Sequence, residues 1–428
     1  MTIIQAKDYS KRFNGFPNYE TFLRTKPLSK SNANKLKKGA SITIAFSLAA
    51  CNDSSLNIIP CSEGGADFGY ICVDSVVSNN NDEINSNTIN LPSEQIIPVS
   101  GSTSADTFVA SSSFLNNKTF IKGGDGSDNL VLKLQSSVRS SPNIEQVENF
   151  TLTSMGDYSL NLSEVSDLEY IQSEDSLGQI TINGLDDPLT SFGFSGNGVN
   201  SMILTGNDLG GAYDILKLKL EDAESVNFQA PIGYENVEVE IAGSSSLNYL
   251  LAPGILDTKI YGDGDLLIGN DLRDLSSFSS TDLNGKLIGQ TLDEDGFSKN
   301  GIIGSDLGTK IDLGQDSDNL YFVDKADADS MNTVTLGAGD DKLAFSIASN
   351  SQNNISGNEG NDEIKILGSK ASSNEIIDGG VGTDTVIIDQ SHDNFLKFEN
   401  VENLILTNIA NGQNTLSEIV TPLNITYQ

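Results

Sequence analysis

The sequence predicts an all-β protein folded as a parallel β-solenoid, a β-roll or β-helix built from ~22-residue coils, and three observations predict it. First, equivalent aspartates recur at a steady interval: Asp318, Asp341, Asp362 and Asp384 follow one another at spacings of 23, 21 and 22, and the spacing from Asp106 to Asp128 is again 22. Second, the runs between them alternate apolar and polar residues, as in Lys342-Leu343-Ala344-Phe345-Ser346-Ile347 and Glu363-Ile364-Lys365-Ile366-Leu367. A period of two is that of a strand with one buried face. Third, the chain has 40 Gly and abundant Asn, Asp, Ser and Thr, no Trp and only 7% aromatic residues. That mixture supplies tight turns and short β-branched strands. The 37% apolar content, gathered in strand-like runs, exceeds what a disordered acidic tail carries. At 428 residues the chain could form two or three ordinary domains or one long solenoid, and the period favours the solenoid. One coil cannot bury its apolar face alone, so stacking is required.

Taken in order, residues 1–50 read as a leader. Of the 25 basic and 59 acidic residues, nine and two lie there, leaving 16 and 57 in 51–428, a net charge of −41. Lys35, Lys37 and Lys38 precede the apolar run 40–47, followed by Leu48-Ala49-Ala50-Cys51. A basic segment, a short apolar segment and small residues before a cut are the pattern of a secretory signal. Leu-Ala-Ala-Cys also resembles the lipobox of bacterial lipoproteins, which implies lipidation at Cys51 and a mature N-terminus there. About 34 residues ahead of the lysines are long for such a signal and read as an extended leader or a different start; a core strand over 40–50 is the alternative. The run is too short to cross a bilayer, and no other stretch approaches 18 apolar residues.

Residues 51–97 read as an anchor segment and linker. With Cys51 lipidated, Cys61 and Cys72 remain, expected to close a small disulfide loop in an oxidising compartment; three free thiols are the alternative. Residues 75–97, rich in Asn, Ser, Asp and Glu, are the linker.

Residues 98–253 and 301–428 read as two solenoid modules, separated by a less regular junction over 254–300. The pattern Gly-Gly-x-Gly-x-Asp-x-apolar-x is complete at 123–131, with Gly124, Gly126 and Asp128, and at 379–387, with Gly380, Gly382 and Asp384. Near copies are 336–344, with Gly337, Gly339 and Asp341, and 357–365, with Gly357, Gly360 and Asp362. In 313–321 Asp316 replaces the last glycine ahead of Asp318, and 101–108, with Asp106 at the aspartate position, is the most degenerate copy. A second repeat follows: Ile144-Glu145-Gln146-Val147-Glu148-Asn149-Phe150 matches Phe398-Glu399-Asn400-Val401-Glu402-Asn403-Leu404. Eighteen residues beyond Val147 and Val401 stand Val165 and Ile419, so a unit is duplicated near each end. Fragments at 221–226 and 234–237 carry the pattern between them, and 261–265 and 269–271 are broken turns.

Glycines in such turns permit backbone angles that aim carbonyl oxygens at one point, and the aspartate adds a charged oxygen. Stacking turns on turns then assembles six or more oxygens, a set suited to Ca²⁺ rather than Mg²⁺. With one His and no spare Cys pair, Zn²⁺ and copper are disfavoured. The expected ligands are Asp318, Asp341, Asp362 and Asp384 with their glycines, about three ions between four turns, and Asp106 with Asp128 for one more. An isolated copy of the motif reads equally well as an ordinary turn.

Over 101–131 and 313–407 these motifs resemble the RTX family of exported bacterial proteins, and the Asn/Thr/Gly-rich strands are similar to those of Ca²⁺-dependent S-layer proteins. The resemblance implies a chain that is loose during export and folds on Ca²⁺ outside the cell. It also implies a C-terminal export signal, which is incompatible with use of the lipobox-like segment. The expected function is an exported structural or adhesive surface protein of S-layer, adhesin or matrix type. It would sit at the outer surface or be released, with Ca²⁺ ions as partners, self-association or cell-surface and polysaccharide contact, and membrane contact only through a lipid on Cys51. A net −41 repels nucleic acid and anionic lipid.

Catalytic signals are weak. His392, the single histidine, lies between Ser391 and Asp393, and sequence neighbours on a turn rarely converge on one reacting atom. There is no His-Glu-x-x-His, and Gly193-Phe194-Ser195-Gly196-Asn197 fails as a nucleophile elbow at its last position. The enzyme alternative is a Ca²⁺-dependent β-helix polysaccharide lyase or hydrolase. Against it, Arg139 and Arg273 are the only arginines after residue 51, and no Trp is available to stack on sugar.

Overall fold

The computed structural model describes residues 71–72, 87–91, 98–185, 190–206, 214–231, 233–326, 330–347, 351–367, 375–389, 396–407, 416–419 and 424–427. Cys51, Cys61 and His392 lie outside the described residues, and Cys72 is described only as part of the strand Ile71–Cys72. The described secondary structure is all strand, and none of it is a helix long and apolar enough to cross a membrane.

The fold is a parallel β-solenoid. Among the described residues, one sheet of 16 strands runs from Asn87–Asn90 to Leu416–Ile419, and a second of 15 runs from Tyr158–Asn161 to Asn424–Tyr427. A third, of four short strands ending at Asn143–Glu145, flanks the first coils only. Neighbouring strands are parallel and in register: Asn319 pairs with Lys342, Lys342 with Glu363 and Glu363 with Thr385, one coil further each time.

Alternation along each strand becomes columns across the coils. In the second sheet Leu320, Leu343, Ile364, Val386 and Leu404 form one inward column. Phe322, Phe345, Ile366, Ile388 and Leu406 form the next, and Ile311, Val334, Ile355, Ile377 and Phe398 oppose them from the first sheet. All are at most 3% exposed. Phe322 and Phe345 stack with ring centres 5.5 Å apart. Burying one such side chain contributes roughly 1.5–3 kcal/mol, but only when the coil on each side covers it.

Two departures from strict repetition position the site. The Gly-Asp turn at 123–128 joins Phe120–Lys122 of the short sheet to Asn129–Leu134 of the first long sheet. The turn at 336–341 joins Met331–Thr335 of the first long sheet to Lys342–Ser346 of the second. The duplicated sequence therefore occupies two different corners of the coil, one sheet apart. Second, both long sheets continue through 254–300, but the coil from Ser277 to its partner Lys310 is half as long again as a regular one. The added chain carries Gly301–Gly304, which pairs with Leu272–Leu275 and Asn319–Val323.

Candidate metal centre in the stacked turns

The turns need glycine for two separate reasons. Gly337 and Gly339 take φ of 101° and 123°, a region L-residues avoid. They also pass so close to the preceding coil that a Cβ on Gly337 would lie 1.9 Å from the Gly314 carbonyl oxygen. Where Asn358 replaces a glycine it still adopts φ 70°, as Asn tolerates. The 313–318 turn, with Asp316 in place of glycine, contains no left-handed residue. Several turn carbonyls are committed to stacking: those of Gly314, Gly337 and Asn358 accept the amides of Ala338 (3.0 Å), Glu359 (3.1 Å) and Val381 (2.6 Å).

All six predicted aspartates point inward and are 0–3% exposed. The structure brings them together in two lines, each carboxylate after Asp106 capping an amide one coil earlier, while Asp106 Oδ2 accepts from Ser102 N of its own turn. Asp341 Oδ1 accepts from Asp318 N at 2.7 Å, Asp362 Oδ1 from Asp341 N at 2.9 Å, and Asp384 Oδ1 from Asp362 N at 2.9 Å. At the other corner Asp128 Oδ1 accepts from Asp106 N at 2.7 Å. Asp318 Oδ1 accepts from Leu287 N at 2.7 Å, with the Gly314 amide as a further donor to its carboxylate.

Amide capping does not require a charge. Earlier on the same corner, Ser176 Oγ caps Ser154 N (3.0 Å), Asn200 Oδ1 caps Ser176 N (3.3 Å) and Ser245 Oγ caps Ala223 N (3.1 Å). Where the cap is aspartate, a second oxygen is left over. Oδ2 of Asp128, Asp341, Asp362 and Asp384, and Oδ1 of Asp106, are buried without a hydrogen-bond partner. Beside several of them a backbone oxygen of the next coil converges. The point where a Cβ on Gly357 would stand is 2.3 Å from Asp362 Oδ2 and 2.1 Å from the Gly379 carbonyl oxygen. At Gly379 the corresponding pair is Asp384 Oδ2 and the Asn400 carbonyl oxygen, and at Gly123 it is Asp128 Oδ2 and the Gln146 carbonyl oxygen.

Two facing acceptors, one formally anionic and dry, require a proton or a cation. Burial pushes these carboxyls upward, with neighbouring carboxylates adding to it and the donated amides opposing it. Asp128 and Asp362 rise to about 6, Asp318 to about 7, Asp341 to about 8, and Asp384 rises as well. Among the described residues no three His, Cys, Asp or Glu side chains surround one metal position. A cation held between coils would therefore draw on one carboxylate oxygen per gap and on backbone carbonyls. Such a donor set is hard and all-oxygen, and it fits Ca²⁺.

Sequence reasoning missed the residues that close each line. Glu148 Oε2 accepts from Asp128 N at 2.7 Å, and Glu402 Oε2 from Asp384 N at 2.8 Å. Their turns lack glycine and use Gln146 (φ 54°) and Asn400 (φ 50°) instead, and the longer Glu side chain reaches the same amide. The duplicated Glu-x-Val-Glu-Asn segment, one coil after each complete motif, was the available signal. Glu235 caps Asp214 N in the same way at 2.9 Å. Also unforeseen is the fully buried Asp324, whose oxygens accept from Ala326 N, Asn332 Nδ2 and Ser351 Oγ at 2.9, 2.8 and 2.6 Å.

No known protein family, curated protein or solved structure matches this chain.

Proposed function

We propose that this chain is an exported structural or adhesive surface protein whose solenoid is ordered by Ca²⁺ bound between its Gly-Asp turns. The observation that carries the reading is the uncompensated second oxygen on Asp128, Asp341, Asp362 and Asp384, at a job that Ser176, Asn200 and Ser245 perform without charge. The Asp341, Asp362 and Asp384 carboxylates, with the Gly379 and Asn400 carbonyls, would hold ions at one corner, and Asp106 and Asp128 at the other. Bound Ca²⁺ supplies positive charge where burial has removed water. The net −41 of residues 51–428 opposes compaction, and an ion that binds only the folded chain adds RT ln(1 + [L]/Kd) per site. The same coupling suits a protein that stays unfolded during export and folds in a Ca²⁺-rich exterior. The RTX-like turns and the lipobox-like Cys51 support export and a place at the outer surface or beyond it. The long repetitive outer faces favour self-association or cell-surface contact.

The test is a Ca²⁺ titration of the full chain, read by circular dichroism and thermal melting. Ca²⁺ should raise the melting temperature and chelation should reverse it. Replacing Asp341 and Asp362 by Ala should weaken binding far more than Asp157→Ala, which lies outside the Gly-Asp turns. Curves that ignore Ca²⁺ would remove the reading.

A further inference from the structure

The coil that runs from Ile288 to its partner Asn319 is longer than those that follow it. Leu287 and Asp318, bonded across it, are 31 positions apart, against 23 for Asp318 and Asp341 and 21 for Asp341 and Asp362. The surplus, 290–300, doubles back through an antiparallel bridge between Leu292 and Ser298. It is fastened to three successive strands of the second sheet. On Asn319–Val323, Asn319 Oδ1 accepts from Ser298 N at 2.8 Å, and Asn319 Nδ2 donates to the Gly296 carbonyl at 2.7 Å. On Lys342–Ser346, Lys342 Nζ lies 5.0 Å from the ring centre of Phe297, which is 1% exposed. On Glu363–Leu367, Lys365 Nζ reaches Asp293 Oδ2 at 2.8 Å and Asp295 Oδ2 at 2.7 Å, and lies 5.3 Å from the Phe297 ring centre.

The geometry is built rather than incidental. Asp293 is held by its own turn, its Oδ1 accepting from Asp295 N (3.0 Å) and Phe297 N (2.9 Å). Ala344, which shares the outward column with Tyr321 and Lys365, is 2% exposed. The Lys365 side chain is 9% exposed although it lies on the outward face, so its charge is taken up by this segment rather than by water. The next members of that column, Ile387 and Ile405, are aliphatic and offer no charge to such a segment. The three fastened strands directly follow Asp318, Asp341 and Asp362. Those following Asp384 and Glu402 have no described contact with the segment.

We propose that residues 290–300 are a cation-independent clamp on the turn ladder, with the Lys365 ammonium as its tethered counter-charge. The coils of Asp318, Asp341 and Asp362 are held in stack by the clamp. The coils from Glu375–Asp378 to Asn403–Thr407 have strand pairing and apolar packing but no described contact with the clamp, so bound cation is what adds to their stacking. This division rests on the Ca²⁺ reading above, whereas the clamp does not.

Hydrogen exchange of the full chain, with chelator and with millimolar Ca²⁺, separates the two. In chelator the wild type should keep 319–323, 342–346 and 363–367 protected while 375–378, 385–389 and 403–407 exchange, and Ca²⁺ should protect the second group. Lys365→Met should speed exchange of the first group in chelator by roughly 10- to 100-fold, less than for breaking a fully buried pair because Asp295 is exposed. The double variant Asp293→Asn, Asp295→Asn should do likewise if Lys365→Met does not fold. Unchanged exchange in these variants overturns the clamp, and uniform loss across both groups in the wild type overturns the division. If Ca²⁺ protects neither group yet Lys365→Met loosens the first, the clamp stands and the Ca²⁺ reading falls.

Discussion

At the scale of the residue, four of the turn aspartates hold two oxygens in unlike circumstances. In Asp128, Asp341, Asp362 and Asp384 one is bonded to the amide of the coil before it and the other is buried without a partner, beside a carbonyl oxygen in Asp128, Asp362 and Asp384. The two respond differently to substitution. Asp341→Asn keeps an acceptor for Asp318 N and removes the buried charge on Oδ2. It should therefore melt higher than the wild type in chelator at pH 8 and gain less from Ca²⁺. Asp341→Ala also strands the Asp318 amide, and should cost about 1–3 kcal/mol in urea unfolding whatever the cation. The pH dependence follows from the direction of the shifts. A carboxyl raised to about 6, 7 or 8 when folded binds its proton more tightly there than in the unfolded chain. In chelator its contribution is complete below about pH 4 and is lost as pH rises through that range. Melting in chelator should thus fall between pH 4 and 8, and saturating Ca²⁺ should flatten the fall. A cation-free melting temperature that rises over that range would contradict the assignment.

At the scale of the element, the strands were legible from alternation alone because their inward residues sit in unbroken columns. Phe345 lies between Phe322 and Ile366 in such a column, fully buried. Phe345→Ala should cost about 3–5 kcal/mol in denaturant unfolding, since rigid neighbours on both sides cannot collapse into the space. The turns were legible as turns, and their aspartates as a line. Less legible was the function of the Glu-x-Val-Glu-Asn segments. Glu402 stands 18 positions after Asp384, short of the regular period, and only the folded corner shows its carboxylate on the Asp384 amide. Glu402→Gln should leave that bond and the Asp384–Ca²⁺ affinity nearly unchanged, whereas Glu402→Ala should weaken the last site, as read by calorimetric titration. The clamp was wholly illegible: residues 70 to 72 positions apart meet because an insertion folds across three rungs.

At the scale of the whole molecule, a net charge of −41 over residues 51–428 is compatible with stacking only if the charge is screened, bonded or matched. Among the described residues most of the carboxylates lie on outer faces, where salt screens them, and the turn aspartates with Asp324 and Glu375 are the buried exceptions. Added NaCl should accordingly raise the cation-free melting temperature gradually. Ca²⁺ should act at concentrations far too low to matter as screening, by about 2.7 kcal/mol per site at a hundredfold excess over Kd. A Ca²⁺ effect that equal ionic strength in NaCl reproduces would reduce the ladder to general electrostatics.

The sequence by itself determined the coil period, the buried face of each strand, the glycines that turn the chain and the aspartates that follow them. Each of these is written locally or as a repeat along the chain. The tertiary structure decided what depends on how coils meet. It set the two copies of the Gly-Asp turn on different corners, because the short third sheet ends near the point where the second long sheet begins. It turned every turn aspartate inward, and in Asp128, Asp341, Asp362 and Asp384 it spent one oxygen on the preceding coil and left the other without compensation. It also brought Glu148 and Glu402 to the ends of the two lines and Lys365 under the insertion. No periodicity records these contacts, because they arise from register between coils and from a loop that breaks the repeat.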